Sequence, residues 1–341
     1  MTSVLDVADL TVEFRTDEGR VQAVRGVSYQ LHRGEVLGIV GESGSGKSVT
    51  SLAVLGLLPG SARVSGSVRF RSRSGGSSEL LGASDRELSR VRGRGISMIF
   101  QDPMTSLNPV YPVGYQIAEA IRAHHDVTRD AARKQAVELL DLVRIPNPAE
   151  RARSYPHELS GGMRQRVVIA IAMANRPEVI IADEPTTALD VTVQAQILEA
   201  LRTAKEETGA AMLLITHDLG VIAGQADRVL VMYAGRVVEA GPVEEIFYAP
   251  RMPYTLGLLG SQPRLDLRAQ RLHPISGAPP SAIDLPPGCP FASRCPLAAA
   301  ICETDEPALA DTGTAGHLSA CHFSARLAGV EPGDLFRPVA Q

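Results

Sequence analysis

Gly41-Glu42-Ser43-Gly44-Ser45-Gly46-Lys47-Ser48 lies between the apolar run Val36-Leu37-Gly38-Ile39-Val40 and a helix-like run from Val49 to Leu58. A strand, a glycine-rich turn and a helix start in that order form a cradle for phosphate. Glycines bend the backbone tightly and bring it close to a ligand, so successive N–H groups and the helix N-terminus all face anionic oxygens. Lys47 is placed to reach the β- and γ-phosphates of a nucleotide, and the Ser48 hydroxyl to coordinate Mg²⁺. Gly41, Glu42, Ser43, Gly44, Ser45, Gly46, Lys47, Ser48 and Val49 are therefore the first candidate site residues. Pro59-Gly60 is expected to stop the helix.

Upstream, Val4 to Phe14 and Gln22 to Leu31 alternate apolar and polar residues like half-exposed strands, joined by the turn Thr16-Asp17-Glu18-Gly19. Phe14 ends the first strand, where its ring would either cover an adenine, a contact of about 1–3 kcal/mol by analogy with base stacking, or fill the strand core. Downstream, Ser61 to Arg94 is rich in Ser, Gly and Arg and reads as a solvated face without chemistry. Ile96 to Phe100 is a short strand, and Gln101 at its end can offer an amide oxygen to Mg²⁺ or to an attacking water. The Pro/Asn/Gly-containing stretch through Gly114 is a candidate hinge. Tyr115 to His124 and Arg129 to Val143 are helical. In the second, Ala132, Ala136, Leu139, Leu140 and Val143 share a face, which predicts a small inserted helical subdomain at about residues 104–165. His124 and His125 belong to its linker and are expected in solvent.

Further signals follow. Leu159-Ser160-Gly161-Gly162-Met163-Arg164-Gln165-Arg166 precedes a helix from Val167 to Ala174, and a small hydroxyl with two glycines at a helix start makes a second anion-binding terminus. Val179-Ile180-Ile181-Ala182-Asp183-Glu184 is an apolar strand ending in two carboxylates, of the kind buried on both faces of a parallel sheet. Asp183 can hold Mg²⁺ through its water shell, and Glu184 can polarise a water as general base. Pro185-Thr186-Thr187-Ala188-Leu189-Asp190 comes next, then a helix from Val191 to Glu207 ended by Gly209. Met212 to Ile215 is another buried strand, closed by Thr216-His217-Asp218. His217 there could bond a γ-phosphate and orient the water, or the turn could simply cap a helix through Asp218.

The chain of 341 residues is 44% apolar, enough for one large domain and a smaller one. Its net charge of −4 offers no basic excess for a nucleic-acid partner. No run reaches the roughly 18 apolar residues of a membrane span, and the N-terminus has no basic patch followed by an apolar core, so a cytosolic location is expected. All four cysteines and 14 of the 23 prolines, counted from Pro242, fall in the last part of the chain. A boundary is placed near Gly235 to Pro253, giving an ATP-binding-type domain over 1–245 and a loop-rich unit over 246–341.

The phosphate loop, Gln101, Leu159 to Arg166, Asp183-Glu184, Ala188-Leu189-Asp190 and His217 occur in the order and setting of the ATP-binding subunits of ABC transporters, which the chain resembles over roughly its first two-thirds. The resemblance implies an α/β P-loop NTPase with an N-terminal antiparallel β subdomain, an inserted helical subdomain and nucleotide sites shared between two subunits arranged head to tail. It further implies that Ser160, Gly161, Gly162 and Asp190 act on the partner's ATP, Ser48 and Gln101 bind Mg²⁺, and Glu184, His217 and Lys47 carry the catalysis. Dimerisation with itself or a paralogue follows, as do two membrane permease subunits and a peripheral place on the cytoplasmic face of the membrane. A soluble ATPase of DNA repair or chromosome maintenance would bring a long coiled-coil or zinc-bearing insertion and a basic face, and neither is visible. A non-catalytic paralogue would have lost Glu184 or Lys47.

The stretches Gln101 to Pro109, Tyr155 to Met163, Pro253-Tyr254-Thr255, Pro274 to Gly277 and Gly288 to Pro296 are similar to those of the oligopeptide, dipeptide and nickel importers. Peptide uptake from an extracytoplasmic binding protein is implied, with nickel or glutathione as alternative cargo. Cys289, Cys295, Cys302 and Cys321 are spaced C-x5-C-x6-C-x18-C, not a common zinc pattern. In a reducing cytosol, disulfides are disfavoured. Four thiolates in a segment with little core of its own suggest a structural metal staple, and the family resemblance points to a [4Fe-4S] cluster. Zinc, with His317 or His322 replacing a cysteine, is the alternative, and reduced cysteines packed as small hydrophobes a third reading.

Overall fold

The computed structural model describes residues 2–17, 19–187, 189–261, 274–331 and 334–336. Glu18 of the first predicted turn and Ala188 of the string before Asp190 lie outside the described residues. In chain order the elements are β1 (Ser3–Thr16), β2 (Gly19–His32), β3 (Val36–Val40), α1 (Lys47–Val54), β4 (Ala62–Arg71), β5 (Ser77–Glu79), α2 (Asp85–Val91) and β6 (Ile96–Ile99). They continue with α3 (Pro103–Ser106), α4 (Val113–Arg122), α5 (Arg129–Leu142), α6 (Pro148–Arg151), α7 (Gly161–Met173), β7 (Val179–Asp183), α8 (Val191–Thr208), β8 (Ala211–Thr216) and α9 (Leu219–Ala223). The last are β9 (Arg228–Tyr233), β10 (Arg236–Pro242), α10 (Val243–Tyr248), α11 (Pro253–Gly260), α12 (Ala300–Thr304), β11 (Ala310–Asp311) and β12 (Leu318–Ser319).

Two compact units are present. The first takes Met1–Asp6, Gln30–Val36 and Val68–Ile215. Its strands β6, β7 and β8 are parallel, with Ile96 opposite Val179 and Val179 opposite Ala211. Every residue of β7 and β8 is buried, as their unbroken apolar runs require. Helices α4, α5 and α7 form the helical layer, and the predicted face of α5 is buried through Ala132, Ala136, Leu139 and Leu140.

Three expectations in this unit need correction. α7 starts at Gly161, not Val167, because the Ser160 hydroxyl accepts the Met163 N–H at 3.3 Å. That cap offsets the poor helix propensity of the glycine pair. The arginine run is not merely a solvated face either. Arg73 donates to the carbonyls of Thr208 and Gly209 at the C-terminus of α8, where a cation meets the negative end of the helix dipole. Glu178 accepts from Arg33 at 2.7 Å and from the Arg73 N–H at 2.7 Å. His124, expected in solvent, is half-buried, and burial lowers its pKa.

The second unit takes Val7–Tyr29, Leu37–Ser67 and Thr216–Gln341. One run of its strands is β11-β12-β10-β9-β3, with β3 parallel to β9 and the others antiparallel. Helix α1 ends at Val54, earlier than the proline-glycine pair suggested, because Gly56 turns into the left-handed region at φ 61°.

The chain beyond β10 is stitched onto this sheet by β12, with Ser319 opposite Glu239 and Leu318 opposite Ala240. Next to that register His317 Nε2 lies 2.8 Å from Glu239 Oε1, both side chains 0% exposed. The Arg251 N–H also donates to Glu239. Burial pushes the Glu239 carboxyl above its usual range, against the lowering effect of the His317 bond. Removing one partner strands the other in the interior, so His317→Ala is expected to cost about 3–5 kcal/mol in denaturant unfolding. A loss under about 0.5 kcal/mol, the range of ordinary surface substitutions, would contradict the role given to this pair.

Candidate functional site

The loop after β3 is shaped by positions where a side chain cannot fit. A Cβ on Gly41 would collide with the Met232 carbonyl oxygen, and one on Gly46, at φ 100°, with the Ala23 carbonyl oxygen. Gly44 is left-handed at φ 79°. The loop thus lies flat against β9 and its following turn, and the Gly235 N–H donates to the Ser45 carbonyl at 3.1 Å. Lys47 is 4% exposed and folds back over the loop, its Nζ donating to the carbonyls of Gly41 at 2.8 Å and Glu42 at 2.9 Å. An ammonium held over a turn of backbone amides, at the start of a helix, is an anion cradle with its cation in place. Ser48 is in the first turn of α1. Phe14, two residues before the end of β1, is half-buried.

Within the first unit the carboxylates sit where the sequence placed them. Asp183 ends β7 and is 4% exposed. Glu184 follows in a left-handed conformation, φ 47°, uncommon for a residue with a side chain. Its N–H is fixed on the Ile215 carbonyl at 2.8 Å. Its Oε2 accepts from Thr187 Oγ1 at 2.8 Å and from Gln101 Nε2 at 3.1 Å. Backbone strain at a carboxylate aimed by two donors is the pattern of a functional residue whose geometry is imposed by its surroundings. The Gln101 and Glu184 assignments therefore meet directly. Thr187 as a holder of Glu184 was missed, although it stands three residues on in the quoted string.

Ser160 and Gly161 are exposed at the N-terminus of α7, while Gly162 is buried against Val193 of α8. Asp190 caps α8, its Oδ1 accepting the Val193 N–H at 3.0 Å. His217 is exposed just past β8, and Asp218 does cap α9 through Gly220 at 2.8 Å, so the capping role foreseen for that turn is real.

Cys289, Cys295, Cys302 and Cys321 line one small cavity in the second unit, with Phe291, Phe323 and His322 around them. None is in a disulfide. Burial raises the thiol pKa of Cys295 to about 12 and of Cys321 to about 11, and the neighbouring cysteines add to both shifts. Among the described residues no three His, Cys, Asp or Glu side chains are placed to hold a metal ion, which supports neither the [4Fe-4S] cluster nor the zinc alternative. His317 does not line that cavity and its Nε2 is bonded to Glu239, while His322 Nε2 lies 2.9 Å from the Asp305 carbonyl oxygen.

A strand, a phosphate loop with its lysine and a carboxylate-tipped parallel strand define a P-loop nucleotide-binding protein. The ABC transporter family model matches residues 24–187, and that of the oligopeptide/dipeptide transporter C-terminal region matches residues 238–302. The chain is 54% identical over 309 residues to a dipeptide transport ATP-binding protein of Bacillus subtilis, covering 90% of this chain and 91% of that one. It is 50% identical over 319 residues to an oligopeptide transport ATP-binding protein of Escherichia coli, covering 94% and 93%. Identity reaches 58% over 339 residues with an oligopeptide transport ATP-binding protein of Mycobacterium tuberculosis, covering 99% of this chain but 54% of that protein, so the chain spans about half the length of that relative. An ATP-binding cassette solved as a dimer in a post-hydrolysis state with ADP and Pi superposes with a TM-score of 0.61 at 28% identity, covering 70% of this chain and 98% of that one. The chain belongs to the ABC transporter ATP-binding proteins of the oligopeptide/dipeptide type. Among the described residues no helix is long and apolar enough to cross a membrane.

The raised thiol pKa values carry a measurable consequence, because only the thiolate is nucleophilic. In chelator-treated folded protein, Cys295 and Cys321 should alkylate with iodoacetamide far more slowly at pH 8 than in urea-unfolded chain, with rates climbing only toward pH 11. Equal rates in folded and unfolded chain would show that the thiols are not buried as described.

Proposed function

We propose that the chain is the ATP-hydrolysing subunit that energises import of small peptides through membrane permease subunits. The observation that carries this is the phosphate loop with Lys47 folded over it, in a chain whose tail matches the peptide-importer region. In this reading Gly41 to Val49 wrap the phosphates, Phe14 stacks on adenine, and Ser48 with Gln101 holds Mg²⁺ while Asp183 bonds its water shell. Glu184 takes the proton of the attacking water, which His217 orients. Its two hydrogen-bond donors and fixed backbone support that role, since a base must be aimed before it can act.

Catalysis then needs a second cassette, identical or a paralogue, whose Ser160, Gly161, Gly162 and Asp190 complete the γ-phosphate site. The exposure of Ser160 and Gly161 at the α7 N-terminus supports this, because the positive end of a helix dipole there can meet a phosphate carried by another chain. The permease partners dock on the helical layer. Met104, Val110, Tyr111 and Tyr115 there are 53%, 67%, 45% and 45% exposed, an apolar patch of the kind that marks an interaction surface. Cargo reaches the permease from an extracytoplasmic binding protein, and the subunit sits on the cytoplasmic face of the membrane. No nucleic-acid partner is proposed.

For the cysteine cluster we propose a [4Fe-4S] group held by Cys289, Cys295, Cys302 and Cys321. What supports this reading is that the four thiols line one cavity, four cysteine thiolates being the ligand set such a cluster would take. When bound, the cluster supplies a structural staple to a segment with little core of its own, while the four thiolates of the chain hold it.

Glu184→Gln keeps the shape and hydrogen bonds of the side chain but removes the base. Steady-state ATP hydrolysis should fall at least about 10²-fold, with ATP still bound and the dimer still closed. Unchanged turnover in that variant would remove the base assignment.

A further inference from the structure

We propose that Arg294, in the cysteine-bearing extension, is a positioning residue for the phosphate loop, acting through a bidentate ion pair with Glu42. The proposal rests on the reading of Gly41–Ser48 as an ATP loop. Apart from Lys47, Glu42 carries the only long side chain in that loop. It is also the only negative one, in a loop shaped to receive an anion. Left alone it would repel the phosphates and compete for Lys47.

The extension neutralises it. Arg294 Nη1 is 2.7 Å from Glu42 Oε2 and Nη2 is 2.9 Å from Oε1, two parallel charge-assisted bonds. The guanidinium itself is fixed: its side chain is 4% exposed, Nε donates to the Ser276 carbonyl at 3.2 Å, and its carbon lies 5.8 Å from the Phe291 ring centroid and 5.9 Å from that of Tyr233. The bond to Glu42 holds Arg294 firmly in its protonated form.

The remaining polar groups of Glu42 are tied as well. Its N–H donates to Tyr254 Oη of α11 at 2.7 Å, and its carbonyl accepts from Lys47 Nζ at 2.9 Å. Tyr254 in turn packs on Tyr233, ring centroids 4.6 Å apart, and on Phe291 at 5.4 Å. Residue 42 is therefore held by carboxylate, N–H and carbonyl together, two of the three from the extension and the third from the phosphate-binding lysine. Arg294 stands next to Cys295 and five residues after Cys289. The segment that carries the cysteines thus sets the path of the loop's backbone and the resting place of Lys47.

The test is a double-mutant cycle on the full chain, read as equilibrium binding of a fluorescent ATP analogue with Mg²⁺. Arg294→Ala should weaken binding at least roughly fivefold, the low end of a typical coupling between two sites. Arg294→Lys, which keeps the charge but loses the fork, should weaken it less. In steady state the loss should appear in KM for ATP, with kcat changed by no more than about twofold. In a Glu42→Gln background, where no carboxylate needs neutralising, the same Arg294 substitutions should cost clearly less. An equal loss in both backgrounds, as a general structural defect would give, overturns the proposal, and so does unchanged affinity. If Arg294→Ala does not fold, Arg294→Lys carries the same cycle. Wild-type chain that fails to bind the analogue would instead defeat the ATP reading, so the two failures are distinguishable.

Discussion

A buried ammonium must be satisfied, and Lys47 is satisfied by the two carbonyls at the start of its own loop. That requirement holds the loop in a tight curl. It also explains why glycine is needed at Gly41 and Gly46, where the curl presses the backbone onto the carbonyls of Met232 and Ala23. In the proposed reading, an arriving phosphate would offer the lysine better acceptors than those carbonyls, so binding would exchange internal bonds for external ones.

The carboxylate end of the first unit follows a related logic. β7 is buried throughout because it is a central parallel strand, and its tip is the first place where a polar side chain can emerge. Asp183 stays at that tip, while the backbone of Glu184 leaves the extended region altogether. The strain is offset by the bond to Ile215 and by the donors of Thr187 and Gln101. A carboxylate held this way would, as the proposed base, lose little freedom on meeting a water, which is what positioning demands.

Much of this was legible in the sequence because it is local. The loop, the β7 tip, the α8 stop at Gly209 and the amphipathic face of α5 each reside in a few adjacent residues whose types have one good structural solution. What was not legible is what depends on contacts far apart along the chain. Nothing near Glu42 announces Arg294, 252 residues later. Nothing near Glu239 announces that His317 will be its buried partner and not a metal ligand. Local propensity also misled where capping overrode it: the sequence places the helix from Val167, but the serine hydroxyl bonds Met163 and starts it at Gly161. The arginines before Arg94 looked like a solvated run because their partners, the end of α8 and Glu178, are distant in sequence.

The most direct measurement is hydrogen exchange resolved to residues 41–49, with and without Mg²⁺ and ATP. If those amides grip the phosphates, their exchange slows strongly on adding nucleotide, more than that of any exposed loop elsewhere in the chain. Exchange at residues 41–49 that stays the same at saturating nucleotide would contradict the phosphate-loop reading on which everything else is built.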